Sequence, residues 1–225
     1  MVAPRVVSLV PSVTETLLTW GIRPIACTRF CEQPDLPHVG GTKDPTVADI
    51  VALAPDLVVL DEEENRREDH DALVAAGIDV HVLAVRDLTG LDAQMNGLAG
   101  VVGASWAPLG PAAEPAPTRR AWVPIWKRPW MALGEPTYGS AVLRALRVAN
   151  VAAPLGAYPE VDPDAARAAG ADLVIAPSEP YPFAERHRGE LALAAPDVRF
   201  VDGRDLLWWG ERTRHALDRL AIALR

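Results

Sequence analysis

Apolar positions along the chain follow two rhythms. In residues 47–67, VADIVALAPDLVVLDEEENRR, a short amphipathic stretch leads into four consecutive apolar residues, 57–60, and then into a sharply polar run. Consecutive apolar residues predict a strand covered on both faces, as in a parallel sheet. The same phrase returns at 162–181, DPDAARAAGADLVIAPSEPY, with a buried strand at 173–175 and Glu179, Pro180 and Tyr181 in the loop after it. Two related α/β halves are predicted. Each presents a loop at the carboxyl end of its buried strand, where open α/β sheets bind ligands.

Around these anchors, strands are predicted at 6–10, 24–27 and 80–83 in the first half. Ser12 is expected to cap a helix, with Glu15 completing a capping box and Gly21 closing it. Residues 28–45 read as a long loop, and 47–53 and 68–76 as helices, the latter closed by Gly77. This βαβαβαβ order predicts a doubly wound lobe. Leu88, Leu91, Met95, Leu98 and Val102 recur at three- and four-residue steps, one face of a helix over 88–104. Such a helix is about 25 Å long at ~1.5 Å per residue. Four glycines weaken it, each by roughly 1 kcal/mol against alanine, so packing must hold it. Residues 108–117, PLGPAAEPAP, read as an exposed linker. In the second half a strand is expected at 121–125, a loop at 126–130, helices at 138–146, 163–169 and 182–193, a strand at 198–201 and a closing helix at 211–224. The expected division is an N-terminal lobe over 1–86, a linker over 87–118 and a C-terminal lobe over 119–225.

Composition narrows the function. With 225 residues, 49% of them hydrophobic, the chain can bury one large core or two small ones. A net charge of −8 argues against nucleic acid and against an anionic membrane surface. No apolar run approaches the roughly 20 residues that span a bilayer. The first residues, MVAPRVVSLVPS, carry no basic region followed by an apolar segment and cleavage site, so a cytoplasmic location is expected, or an extracytoplasmic one if a leader has been removed. Cys27 and Cys31 read as two free thiols rather than as a metal or redox pair.

Candidate chemistry clusters in the predicted loops. Five of the seven tryptophans fall at 122 and beyond, and Trp126, Trp130, Trp208 and Trp209 each stand next to charge, glycine or proline rather than inside an apolar run. Such tryptophans either line a pocket for a flat ligand or pack a hinge. Glu62, Glu63, Glu64, Asn65, Arg66 and Arg67 form either a solvated helix cap or one polar wall of a pocket. The chain has no GxSxG, HExxH, GxxxxGK[ST] or GxGxxG, and its five histidines show no ligand spacing. No catalytic residue, metal ligand or cofactor is assigned.

Three runs together, RVVSLVPSVTETLLTWGIRPIACT, VGGTKDPTVADIVALAPDLVV and AAGIDVHVL, resemble the N-terminal lobe of the helical-backbone metal receptors. These are the class III substrate-binding proteins of vitamin B12 and iron–siderophore ABC importers. PWMALGEPTYGSAVLRALRVANV and VDGRDLLWWGERT are similar to the C-terminal lobe of that family. The resemblance implies an α/β fold of two Rossmann-like lobes related by an internal repeat, bridged by one long helix, with a ligand cleft between the lobes. It implies a metal chelate as ligand (corrinoid, haem or ferric siderophore) and no enzymatic activity. By position, the ligand-binding candidates are Arg29, Lys43, Glu62, Glu63, Asn65, Arg66, Trp126, Lys127, Trp130, Glu179, Tyr181, Trp208 and Trp209. B12 receptors of the family dock on their transporter through one glutamate on each lobe. The matching positions here are Ala48 and Arg144, neither acidic, so docking on an ABC importer is not expected. The chain thus reads as a receptor-like monomer of a signal-less intracellular branch. The rival readings are a cytoplasmic enzyme that processes a chelate and a scaffold that binds a protein partner, both on the same fold.

Overall fold

The computed structural model describes residues 4–111 and 115–225. Its residues group into two compact units. One comprises the chain up to Val85 with Leu91–Pro108 and Trp209–Arg212; the other comprises Arg86–Gly90, Leu109–Trp208 and Thr213–Arg225.

Unit 1 holds a four-stranded parallel sheet of β1 (Val6–Ser8), β2 (Ala26–Cys27), β3 (Leu57–Asp61) and β4 (Val80–Leu83), in the order β2-β1-β3-β4. Every residue of β3 is buried, as its unbroken apolar run predicts for a strand covered on both faces. Helices α1 (Pro11–Thr19), α2 (Val47–Ala52) and α3 (Arg67–Ala75) form the crossovers. Val7, Leu9, Ile50, Val58, Leu60 and Leu73 pack as its core. Fully burying one such aliphatic side chain contributes about 1.5–3 kcal/mol. Helix α4 (Leu88–Val102) buries the expected face, Leu88, Leu91, Met95, Leu98 and Val102. It ends where Gly103 turns left-handed at φ 74° and the Ala104 N–H reaches back to the Ala99 carbonyl. Of the expected linker 108–117, residues 112–114 lie outside the described residues; the others belong to no helix or strand.

Unit 2 repeats the plan. Its sheet joins β5 (Arg119–Trp122), β8 (Val148–Asn150), β9 (Leu173–Pro177) and β10 (Asp197–Val201), in the order β10-β9-β5-β8 and all parallel. Numbered within the unit, that is again 2-1-3-4, so the internal repeat read from the sequence extends to strand topology. β9 is buried throughout, as β3 is. A separate hairpin, β6 (Pro124–Trp126) with β7 (Met131–Ala132), is antiparallel. Helices α5 (Tyr138–Ala145), α6 (Pro163–Ala168), α7 (Arg188–Leu191), α8 (Gly203–Leu207) and α9 (Thr213–Ala223) complete the unit.

Four local expectations are corrected. Ser12 does not cap α1: Val10 stands at the N-cap, Pro11 at the first helical position, and no side chain caps the end. Glu15 instead forms a two-pronged ion pair with Arg212, at 2.8 and 2.6 Å. The apolar run 121–125 is not one strand; it divides at Val123 between the parallel sheet and the hairpin. Residues 182–193 form a short 3-10 turn, Glu185–His187, and the single turn α7 instead of a long helix. The last helix begins at Thr213, because the segment before it is held on α1. There the Trp20 indole donates to Glu211, the Glu211 N–H donates to Thr16 Oγ1 at 3.2 Å, and Gly210 lies flat against Thr16.

Gly210 combines a φ of 112° with no room for a side chain; a Cβ there would stand 2.2 Å from Thr16 Oγ1. Gly210→Ala is expected to cost about 2–4 kcal/mol, from left-handed strain and overpacking together. Urea unfolding followed by circular dichroism should show a lower midpoint with little change in slope.

Candidate functional site

In a 2-1-3-4 parallel sheet the switch point lies between the first and third strands, and ligands bind beyond the carboxyl ends there. In unit 1 those ends are the residues after β1 and β3.

The loop after β3 is organised by two buried side chains. Asp61 Oδ1 accepts the backbone N–H groups of Glu63 and Glu64, at 2.9 and 3.1 Å. Asn65 Oδ1 accepts the Asp61 N–H at 2.8 Å, while its Nδ2 donates to the carbonyls of Leu9 (3.3 Å) and Thr42 (2.9 Å). One amide therefore ties the end of β1, the long loop 28–46 and the end of β3. Lys43 donates to the Glu63 carbonyl in the same place. Glu62 and Glu63 are exposed. Arg66 is exposed but engaged, its guanidinium paired with Asp69 at 3.0 and 3.2 Å. Arg29 lies over the exposed Phe30 ring at 4.8 Å and pairs with Asp44 at 3.1 Å. An open pocket of about 420 Å³ is lined by Leu60, Asp61, Asn65, Arg66, His70 and Val82, among others. Burial pushes the Asp61 carboxyl up to about 7, and the two N–H donors only partly offset it.

In unit 2 the aromatic residues meet. The hairpin turn 127–130 and the loop after β9 bring Trp126, Trp130, Tyr181, Phe183 and His187 together, above the buried Trp122. Trp130 stacks on Phe183 with centroids 6.0 Å apart and planes 4° from parallel, and leans on Trp122 at 5.4 Å. Its faces are therefore occupied by the protein. Trp126 meets Tyr181 edge-on at 5.6 Å and remains 46% exposed, so its indole is the exposed aromatic surface of this cluster. The Tyr181 hydroxyl makes no hydrogen bond among the described residues.

His187 is fixed as a donor. Its Nδ1 accepts the Ala184 N–H at 3.1 Å, which leaves the proton of the neutral ring on Nε2. Burial, with the charges of Arg186 and Lys127, holds its pKa below the ordinary imidazole value. In that tautomer Nε2 can donate to an oxygen but cannot ligate a metal. Lys127, its side chain only 10% exposed, pairs with Glu190 at 2.6 Å and sits 5.7 Å above the Trp130 ring. It clamps the turn from below.

The other candidates are dispersed. Glu179 is half-buried, with its loop packed against Gly203 at the start of α8. Trp208 belongs to unit 2 and carries Arg204 over its ring at 5.9 Å. Trp209 belongs to unit 1 and is 6% exposed. Phe183 falls in the loop 179–183 that the family resemblance marks for the ligand; only His187 was not expected in the patch at all. Their i, i+4 spacing, and the i, i+2 spacing of Tyr181 and Phe183, carried that signal. Asp61 was visible only as part of a charged run.

Two α/β units with parallel sheets and strand-end loops are the fold this chain shares with several solved periplasmic binding proteins. No family model matches the chain. Among solved structures it is similar to the periplasmic vitamin B12 binding protein BtuF of Vibrio cholerae, with 18% identity, 99% of this chain and 96% of that one covered, and a TM-score of 0.79. It is also similar to a periplasmic heme binding protein from Pseudomonas aeruginosa (20% identity, 99% and 92% covered, TM-score 0.79). A third such structure is the periplasmic heme-binding protein RhuT from Roseiflexus sp. RS-1 (20%, 98% and 97%, TM-score 0.77). The likeness runs over nearly the whole of each chain, and the two α/β lobes read from the sequence are observed. No described helix is long and apolar enough to cross a membrane.

Two measurements test this account of unit 1. Asn65→Ala strands two carbonyls and one N–H, and a buried group left unsatisfied costs about 1–3 kcal/mol. The variant should lose at least ~2 kcal/mol in urea unfolding, whereas loss of an exposed cap would barely register. The second test uses pH. Asp61 ionises at an ordinary value near 4 in the unfolded chain and near 7 when folded, so the folded state holds the extra proton between those values. The contribution of Asp61 to stability must fall as pH rises through that window. Asp61→Asn should flatten the fall by roughly 3–4 kcal/mol, seen by comparing urea midpoints of both proteins from pH 4 to 8.

Proposed function

We propose that the chain is a non-enzymatic binding protein for a flat metal chelate of the corrinoid, haem or ferric siderophore kind. The exposed Trp126 indole beside the unpartnered Tyr181 hydroxyl carries the reading. It offers a π face and a polar oxygen on a base stiffened by the Trp130–Phe183 stack. A preorganised aromatic surface loses little conformational entropy on binding. Solved structures of similar fold include proteins named for heme and vitamin B12, which supports that ligand class.

Of the sequence candidates, we assign ligand contact in unit 2 to Trp126 and Tyr181, with the His187 Nε2–H as a donor. Trp130 and Lys127 position them. In unit 1, Glu62 and Glu63 are exposed for contact, while Asn65 holds the loop. We also propose that no B12-type importer is engaged. Ala48 is exposed and uncharged, and Arg144 is half-buried and paired with Glu135, so neither position offers a free acid.

The test is titration with haemin, cyanocobalamin and ferrioxamine B, followed by absorbance and calorimetry. At least one should bind. One aromatic contact is worth roughly 0.5–2 kcal/mol, so Trp126→Ala should weaken that binding about tenfold. Ile222→Ala, on the exposed side of α9, should leave it unchanged. Binding of none of the three, or full affinity in Trp126→Ala with folding intact, would overturn the reading.

A further inference from the structure

Thr14 of α1, Cys27 at the end of β2, and Thr28 and Cys31 around the turn that follows meet inside unit 1. Cys27 is wholly buried, Cys31 is 3% exposed, and Leu36 closes the cluster. Both sulfurs are free thiols. Thr14 Oγ1 and Thr28 Oγ1 each lie 3.2 Å from Cys31 Sγ, and Cys27 packs in the same buried cluster. A sulfur that receives several donors is drawn toward the thiolate. The neighbouring Cys27, and then the Thr14 and Thr28 hydroxyls, hold Cys31 below the ordinary thiol range. Its pairing with Cys31 and its burial push Cys27 up. One sulfur is thus prepared as a nucleophile, and the one touching it keeps its proton.

We infer that Cys27 and Cys31 form a peroxide-reactive dithiol, in which Cys31 attacks and Cys27 resolves. The reactant class is set by access. Cys31 lies one residue from the exposed Phe30 and Glu32 and is itself 3% exposed, which favours a small oxidant over a bulky one. Bulkier disulfides cannot present a sulfur to it. In the first step the Cys31 thiolate attacks one oxygen of hydrogen peroxide. An S–O bond forms, the O–O bond breaks, and hydroxide leaves and takes up a proton as water. Cys31 is then a sulfenic acid. In the second step the Cys27 sulfur attacks the Cys31 sulfur. The S–S bond forms, the S–O bond breaks, and the second water leaves with the Cys27 proton. The two thiols give up two electrons, and one peroxide becomes two waters. This site is independent of the chelate reading and uses none of its residues.

The experiment treats the reduced, folded protein with one equivalent of hydrogen peroxide, then measures intact mass and counts thiols after denaturation. The wild type should lose two hydrogens and both thiols, with peptide mapping placing the bond between Cys27 and Cys31. Cys27→Ser should stop at the sulfenic acid, captured on Cys31 by dimedone. Cys31→Ser should leave Cys27 unmodified. Thr14→Val combined with Thr28→Val should slow the wild-type reaction by about tenfold, because the thiolate loses two donors. The inference fails if both wild-type thiols stay titratable while free cysteine in the same tube is consumed. It fails equally if Cys31→Ser is oxidised at Cys27 as fast as the wild type is at Cys31. The wild-type arm decides the question even where a variant does not fold.

Discussion

A parallel sheet sends every strand out at the same edge, so each unit must terminate several chains in one place without helical or sheet partners for their backbone. A single buried amide does this in each. In unit 1, Asn65 satisfies the Leu9 and Thr42 carbonyls and the Asp61 N–H. In unit 2, Asn150, at the end of β8, donates to the Leu133 carbonyl at 2.8 Å and to Ser140 Oγ at 2.7 Å, and accepts the Ala152 N–H at 3.0 Å. Ser140 and Thr137 pass the tie on to the Gly134 carbonyl, each at 2.7 Å. An amide carries both donors and an acceptor, which a carboxylate or hydroxyl cannot match. The surfaces available to a ligand in each unit are what these knots leave facing outward.

That division explains which parts of the chain were legible. Buried parallel strands announce themselves by consecutive apolar residues, and β3 and β9 lie where that pattern put them. The periodic face of α4 did the same for the longest helix. Short elements were not legible, because tertiary contacts select them. The run 121–125 is apolar throughout, and nothing local says that the chain changes sheets at Val123. β8 has three residues, and α8 has five fixed by the Asp205–Arg219 ion pair, whose partner lies on another helix. Residues 182–193 carry apolar spacing that suits a helix. The His187 ring instead takes the Ala184 N–H and starts a tight turn.

The candidate site was legible as a set of loops, not as a set of roles. Glu62, Asn65 and Arg66 fall within five residues of one polar run. In the structure, one faces solvent, one is locked in a knot and one is paired to Asp69. Trp126 and Trp130 flank the same turn with similar neighbours, yet one indole is open and the other is packed against Phe183 and Trp122. Polarity and residue type say that a side chain belongs in a loop. Which way it turns depends on the register of the hairpin and on Lys127 reaching Glu190 some sixty residues away, at 2.6 Å.

The same logic bears on what the open surface of unit 2 can do. A reacting site needs a group that gains or loses a proton near working pH, placed where substrate can reach it. His187 is the titratable ring in this patch, but the Ala184 N–H occupies its Nδ1 and burial favours its neutral form. That leaves a fixed N–H donor and no accessible base on the ring. Trp126 contributes a π face and Tyr181 a hydroxyl on a stiff ring. Such groups can stack on the face of a flat molecule and hydrogen-bond to its edge. On the proposed chelate reading, selectivity among ligands would come from where their polar edges meet the Tyr181 oxygen and the His187 Nε2–H.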